Sequence, residues 1–521
     1  MKRKLLFLLL FSSLLFVSAT NNSGNRNAVY KSLHPNSLSE LLAFYELYPD
    51  TQEGKEALKR AWKLLDPSGE FSKTIHTPLP QVQIGSMISL VNRKAEENFS
   101  LQEETLHSIQ AIASSLSNRK LHTFGSWKEA DFINANANEI DLARGLLLAL
   151  FGEGEEGRKK ILSYEASLDL MALQIRAQLS EKPSHLDTIR AINQFIFIDL
   201  GFRFPPHSLY AKNIDTYTFL PSVMDNRKGV CLGVSILYLC IAQRLGLPLE
   251  IITPPGHIFV QYLNQDQTIN IETTARGLDI PSEYYLGVET KKLHHRTLKE
   301  TIGLAFVNQA SIAWMQKKHT EAISLYKKAL DYLDKDPLTL ELLAYNYLLV
   351  GKKKEGKKLL EQIANLSSET ATSKNILIED FLDGKTDAAG IATVFLPVDE
   401  NRLSILEKQL ALIEVLKQYP HFRQGLVQLA TTYLQLGREK EATLTLKQYQ
   451  KIDPQSPLVN YYLSLLSLER HDYQAAWEHF SRAFSLLQAQ NYFPKALKDL
   501  RNTLLQVSPP SEKSSSFFSC L

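Results

Sequence analysis

The sequence predicts an α+β fold, with a small mixed core set between a helical N-terminal region and a C-terminal α-solenoid. Three observations carry that reading. An apolar run from Leu232 to Leu245 starts directly after Cys231 and reads as a buried helix. Two runs follow, EIITPPGHIFVQYL and QTINIETTA, with the β-branched content and alternation of neighbouring strands, joined by the polar turn Asn264-Gln265-Asp266-Gln267. From Ile302 onward, small and large apolar residues recur at a spacing of 34, as in stacked helix-turn-helix units.

The elements follow in order. A chain of 521 residues has room for about three domains. Residues 1–19 read as a signal peptide: Lys2, Arg3 and Lys4, then an apolar run from Leu5 to Val17, then the small residues Ser18 and Ala19. That run is shorter than the roughly 20 residues a membrane span needs. Export is therefore expected, to a periplasm or to the outside, with an uncleaved anchor as the other outcome. No second segment is long enough to span. The region 21–138 is helical by pattern, with a proline-containing loop around 66–83, and shows no chemistry. The mixed core occupies 139–297.

The repeat region covers 302–500. Ala322 aligns with Gly356 and Tyr326 with Leu360; Ala442 aligns with Ala476, Leu446 with Phe480, and Tyr449 with Ala483. A small residue is required where two helices cross, and a large one packs beside it. With Gly437 at a turn and Pro454 at an end, these units resemble tetratricopeptide repeats, whose stacked surface is suited to binding another polypeptide. The segment 365–401 is off-pattern, either a degenerate unit or an inserted loop. The tail 508–521, SPPSEKSSSFFSCL, reads as disordered.

Composition narrows the function. A net charge of +2 argues against a dedicated nucleic-acid surface. The three cysteines, Cys231, Cys240 and Cys520, are odd in number and do not make a disulfide scaffold, which suits bacterial-type export. Cys231 occupies the first turn of its helix, where unpaired N–H groups and the positive end of the macrodipole favour a nucleophilic thiolate. Such a nucleophile needs a base, and the base needs an orienting group. His257 follows Pro254-Pro255-Gly256, and Glu272 lies in the second strand-like run. If the two runs pair about Asn264 and Gln265, His257 and Glu272 face each other with Cβ atoms roughly 4.5–5.5 Å apart. Each residue alone has a plainer reading: Cys231 as a small core residue, His257 as a satisfied turn histidine, Glu272 as an exposed strand carboxylate. Cys240, mid-helix, is assigned to the core.

The segment NRKGVCLGVSILYLCIAQRLGLPLEIITPPGHIFVQY, followed by INIETTARG, resembles the transglutaminase-like superfamily, in particular its SirB-like branch, whose members also carry tetratricopeptide repeats. The upstream stretches DLARGLLLAL, LDLMALQIRAQL and INQFIFIDLGFRF are similar to the helices that precede that core. The resemblance implies a papain-like α+β core with Cys231, His257 and Glu272 as the triad. Many members of the branch lack the cysteine, so its presence here favours chemistry. Members often carry an Asn about a dozen residues before the Arg-Lys-Gly glycine. Here Tyr217 stands near that place, so a second oxyanion donor is left between Tyr217 and Asn213.

Other signals fall away. Gly152-Glu153-Gly154-Glu155-Glu156-Gly157 fits a dinucleotide-binding string but follows a helix, would repel a pyrophosphate, and reads as a loop. His294 and His295 lack partners at metal-ligand spacing, and Lys352, Lys353, Lys354, Lys357 and Lys358 read as a solvated face. No cofactor or metal is expected. Two functions stay open. One is an exported thiol enzyme acting on amide bonds of a protein or peptide held by the repeats, either a cysteine peptidase or amidase or an acyltransferase. The other is a non-enzymatic protein–protein interaction scaffold with a relic core.

Overall fold

The computed structural model describes residues 23–65, 103–205, 217–264, 267–364, 366, 370–399 and 401–509. The signal-like segment, the loop 66–83, Asn213, Gln265, Asp266, Cys520 and the tail from 510 lie outside the described residues. Among the described residues no helix is long and apolar enough to cross a membrane. They form two compact units, one holding 23–65, 103–116 and 162–191, the other 117–161 and the chain from 192 onward. In the first unit, helices Ser23–Ser32, Leu38–Leu47 and Gln52–Leu65 bury Leu41, Phe44, Ala57, Ala61 and Leu65, and Arg26 meets Glu53 at 3.0 Å.

The second unit holds the sheet, the cysteine helix and the repeats, as the α+β expectation required. The cysteine helix runs Cys231–Arg244, and of its residues only Cys231 and Gln243 escape burial. Burial of a large apolar side chain contributes about 1.5–3 kcal/mol, so this helix anchors the core. Gly229 precedes it because a Cβ there would come within 2.5 Å of the Val234 side chain. The sheet contains β1 (Glu250–Ile252), β2 (Phe259–Leu263), β3 (Thr268–Glu272), β4 (Leu278–Asp279) and β5 (His295–Arg296), in the order β4-β3-β2-β1-β5, every pair antiparallel.

The first strand-like run is thus two strands. Pro254-Pro255-Gly256-His257 makes a turn in which the His257 N–H donates to the Pro254 carbonyl at 3.2 Å and Gly256 takes φ 71. That is the type II arrangement, with proline second and glycine third. β2 and β3 pair Val260 with Ile271 and Gln261 with Asn270, two residues out of the register expected from an opposed His257 and Glu272.

The repeats are helix pairs: Leu298–Met315 with His319–Leu330, Pro337–Leu349 with Lys353–Ala364, Arg423–Gln435 with Glu439–Ile452, and Pro457–Glu469 with Tyr473–Gln488. The aligned residues Ala322, Gly356, Tyr326, Leu360, Ala442, Ala476, Leu446, Phe480, Tyr449 and Ala483 are all buried. The interhelical turns repeat as well: Lys317 (φ 62), Gly351 (φ 81), Gly437 (φ 69) and His471 (φ 59) hold the same left-handed position 34 residues apart within each pair of units. The off-pattern segment supplies two short helices, Ile376–Leu382 and Ala388–Val394, whose Leu377, Ile378, Ile391 and Val394 complete the core around Tyr345 and Phe422. Asp380 there accepts from the Arg423 N–H and Nε, both at 2.7 Å. The string around Gly154 is a turn only as far as that residue. Glu155 and Glu156 then open the helix Glu155–Gln178, where acidic side chains suit the N-terminal end of the dipole.

Candidate active site

The chemistry is assembled on one face of the cysteine helix. Cys231, Ser235 and Tyr238 follow a spacing of four and three residues, so they project from the same side. Ser235 Oγ lies 3.0 Å from Thr273 Oγ1, and Tyr238 donates to Asn193 Oδ1 at 2.9 Å. Asn193 in turn donates to the Gly277 carbonyl at 3.3 Å. These bonds dock the chain that follows Glu272 against the helix, and the sulfur stands at the open end of the row, half-buried.

His257 sits in the loop between the Pro-Pro-Gly turn and β2, and reaches Glu272 diagonally, since Phe259 takes the place opposite. The imidazole Nε2 lies 2.6 Å from Glu272 Oε2. With Nε2 engaged, Nδ1 is the nitrogen left for the sulfur. The neighbouring Cys231, then the bond to Glu272, raises the imidazole to about 9 against the opposing effect of burial. The ring therefore carries its proton at neutral pH.

Glu272 is the most constrained member of the group. It is 3% exposed and ends β3 while capping the short turn Thr273–Ala275. Oε1 accepts from the Thr274 N–H at 3.1 Å and the Thr274 hydroxyl at 2.6 Å; Oε2 accepts from His257 and from the Tyr285 hydroxyl at 2.8 Å. Burial pushes the carboxyl up, but the bonds from His257, Thr274 and Tyr285 outweigh it and hold the group below its ordinary value. A buried carboxylate with all its acceptor positions used is an orienting group rather than a proton donor.

Tyr285 is the member that sequence reasoning missed. Its ring lies parallel to the imidazole, centroids 5.7 Å apart at 9°, and stacks on Phe259 at 4.5 Å. It is placed by Asn270, which accepts from Gln261 Nε2 at 2.7 Å across the ladder and donates to the Ile280 carbonyl at 2.7 Å and Ser282 Oγ at 2.9 Å. No local pattern marks Tyr285; only the register brings its loop back to the sheet.

The helix begins at Cys231, so its backbone N–H has no intrahelical acceptor and points into the same end. The Tyr217 carbonyl accepts the Val230 N–H at 2.9 Å and ties Tyr217 to the start of the helix. Cys240 is fully buried. His295 pairs with Glu250 across β1 and β5 at 2.7 Å, and the lysines of 352–358 are exposed. Among the described residues, no group of three His, Cys, Asp or Glu is arranged to hold a metal ion.

A search of curated proteins returns no match. Among solved structures, the chain is similar to TTC0263, a thermophilic TPR protein of Thermus thermophilus, at 16% identity over 39% of this chain and 99% of that one, TM-score 0.22. It is also similar to MamA of Desulfovibrio magneticus, at 14% identity over 36% of this chain and 97% of that one, TM-score 0.19. The family model of the Transglutaminase-like superfamily matches residues 162–285. The segment that contains Cys231, His257 and Glu272 and closes on Tyr285 is a transglutaminase-like domain.

Proposed function

We propose that the protein is a transglutaminase-like thiol enzyme that cleaves or transfers acyl groups at amide bonds of a protein or peptide. The observation that carries this reading is Cys231, at the start of its helix, acting on the His257 ring, which is itself held at 2.6 Å on a buried, fully bonded Glu272. In the step we infer, the sulfur attacks the carbonyl carbon and the oxyanion gathers at the Cys231 N–H. The protonated His257 gives its proton to the departing amine, and the C–N bond breaks to leave a thioester on Cys231. Water then attacks with His257 taking its proton, releasing a carboxylic acid and restoring the thiolate of Cys231 beside a protonated His257; an incoming amine would give a new amide instead. Hydrolysis needs no second substrate site and is the reading preferred here. The paired helices, packed as protein-interaction repeats, are proposed to recruit the substrate polypeptide. The basic and apolar leading segment supports export to the periplasm or the outside.

Labelling with a thiol-reactive probe at mildly acidic pH, followed by peptide mapping, tests the reading. Cys231 is expected to label faster than a free thiol, and the reaction is expected to vanish in Cys231→Ala and survive in Cys240→Ala. Labelling of Cys231 no faster than a free thiol would sink it. The helical repeats favour a second reading, a non-enzymatic interaction scaffold. In that case partner capture is unchanged by Cys231→Ala and lost when the chain from Ile302 onward is removed.

A further inference from the structure

Immediately after Tyr285 the chain enters the repeats. The Lys291 N–H donates to the Thr370 carbonyl at 2.7 Å, the Thr372 N–H donates to the Glu289 carbonyl at 3.0 Å, and Thr290 and Ala371 form an antiparallel bridge. The Thr372 hydroxyl donates to the Val288 carbonyl at 2.9 Å. Val288 itself is 4% exposed, seated among Ala476, Phe480, Ala483 and Leu487 of the last helix pair. The Tyr492 hydroxyl shares its proton between the Gly287 carbonyl at 2.9 Å and the Thr290 carbonyl at 2.5 Å. Lys495 covers the ring of Tyr284 at 4.9 Å. An extended segment is thus held like a bound peptide, by main-chain bonds on one side and a single apolar anchor on the other.

Gly287 lies only two positions beyond Tyr285, at most about 7 Å of chain. Whatever fixes Gly287 also fixes the ring that donates to Glu272. The distance in sequence is large, since Tyr492 belongs to the far end of the repeat region, and nothing about the cysteine helix requires that contact.

We propose that residues 287–292 are a strap through which the C-terminal repeats hold Tyr285 against Glu272 and His257, with Tyr492 and Thr372 as positioning residues for the site. The repeats then frame the site as well as presenting a surface. This rests on the reading of Cys231, His257 and Glu272 as the working group, and the test separates the two.

The full chain carrying Tyr492→Phe, and separately Thr372→Val, is compared with wild type by amide exchange over 282–292 and over the control helix Tyr473–Gln488. The histidine ring signals are followed by NMR through a pH titration. One lost hydrogen bond should raise strap exchange by up to about tenfold while the control helix is unchanged. The His257 midpoint should fall below that of wild type, because the ring is no longer held on Glu272. Unchanged strap exchange in both variants would overturn the proposal, as would a loosened strap with an unmoved His257 midpoint. A strap that behaves as expected beside a Cys231 that labels no faster than a free thiol sinks the enzyme reading and leaves the strap intact.

Discussion

Replacing Glu272 by Gln changes one oxygen for an NH2 and little else in shape, yet the site has no place for it. Oε1 accepts two bonds from Thr274, and Oε2 accepts one each from His257 and Tyr285. A carboxamide can serve one pair only, and on the other side two donors then meet a donor. If the amide faces His257, the ring must accept through Nε2 and turn its proton toward the sulfur, the wrong tautomer for a base. Hydrogen bonds to a charged group contribute about 1.5–3 kcal/mol each, so losing two of them costs about 3–6 kcal/mol of local stability. Part of this depends on pH. The His257 imidazole is raised from 6.5 to about 9, which at 1.36 kcal/mol per pH unit corresponds to about 3 kcal/mol at most. A raised value means that this stability is present in full below about 6.5 and is lost as pH climbs through about 9. The assay is amide exchange in β2 and β3, corrected for intrinsic rates, at pH 6 and pH 10, with the His257 signal assigned through His257→Asn. The Glu272→Gln deficit should be larger at pH 6 than at pH 10, by less than about 3 kcal/mol, because the share of the shift that comes from Cys231 stays in the variant. The same deficit at both pH values, or a wild-type His257 titrating near 6.5, would refute the coupling.

Three further outcomes are expected. Ser235→Ala removes the bond to Thr273 and should cost about 1 kcal/mol, with slower labelling of Cys231 by a thiol probe while its peptide map is unchanged. Arg296→Ala leaves Asp336 buried without the guanidinium that lies 2.6 Å away, and should lower the stability of the first repeats by about 3–5 kcal/mol, read by exchange in Pro337–Leu349. Lys317→Gly and His471→Gly place glycine at the left-handed turn positions that Gly351 and Gly437 already fill. Each relieves about 1–2 kcal/mol of conformational cost against the 0.5–1 kcal/mol that glycine adds to the unfolded chain, so each should raise the melting temperature slightly.

Much of this was legible in the sequence, for identifiable reasons. The repeats announced themselves because helix crossings demand a small residue at a fixed place, and Ala322, Gly356, Ala442 and Ala476 meet that demand at constant spacing. The cysteine helix was readable because its burial is nearly complete, so its composition hardly varies around the axis. The strand register was not. Centring the pair on Asn264 and Gln265 misplaced His257 by two positions, because Leu263 pairs with Thr268 and the ladder is centred one residue further on. Reading EIITPPGHIFVQYL through Pro254 and Pro255, which cannot continue a ladder, put His257 inside the strand. Those prolines instead make the turn that lifts His257 out of the strand and lets it reach Glu272 diagonally. Tyr285, Asn270 and the strap stayed hidden for another reason: their partners are set by tertiary approach, with Tyr492 two hundred residues beyond the loop it fixes. Local pattern carries no trace of such a contact.

The most direct test offers the sulfur a carbonyl. Wild-type protein mixed with p-nitrophenyl acetate should release a burst of nitrophenolate equal to one per chain, with the acetyl group mapped to the Cys231 peptide and then lost to water. His257→Asn should slow both phases. A reaction with no burst, or an acetyl group found on lysines while the Cys231 peptide stays unmodified, would contradict the account.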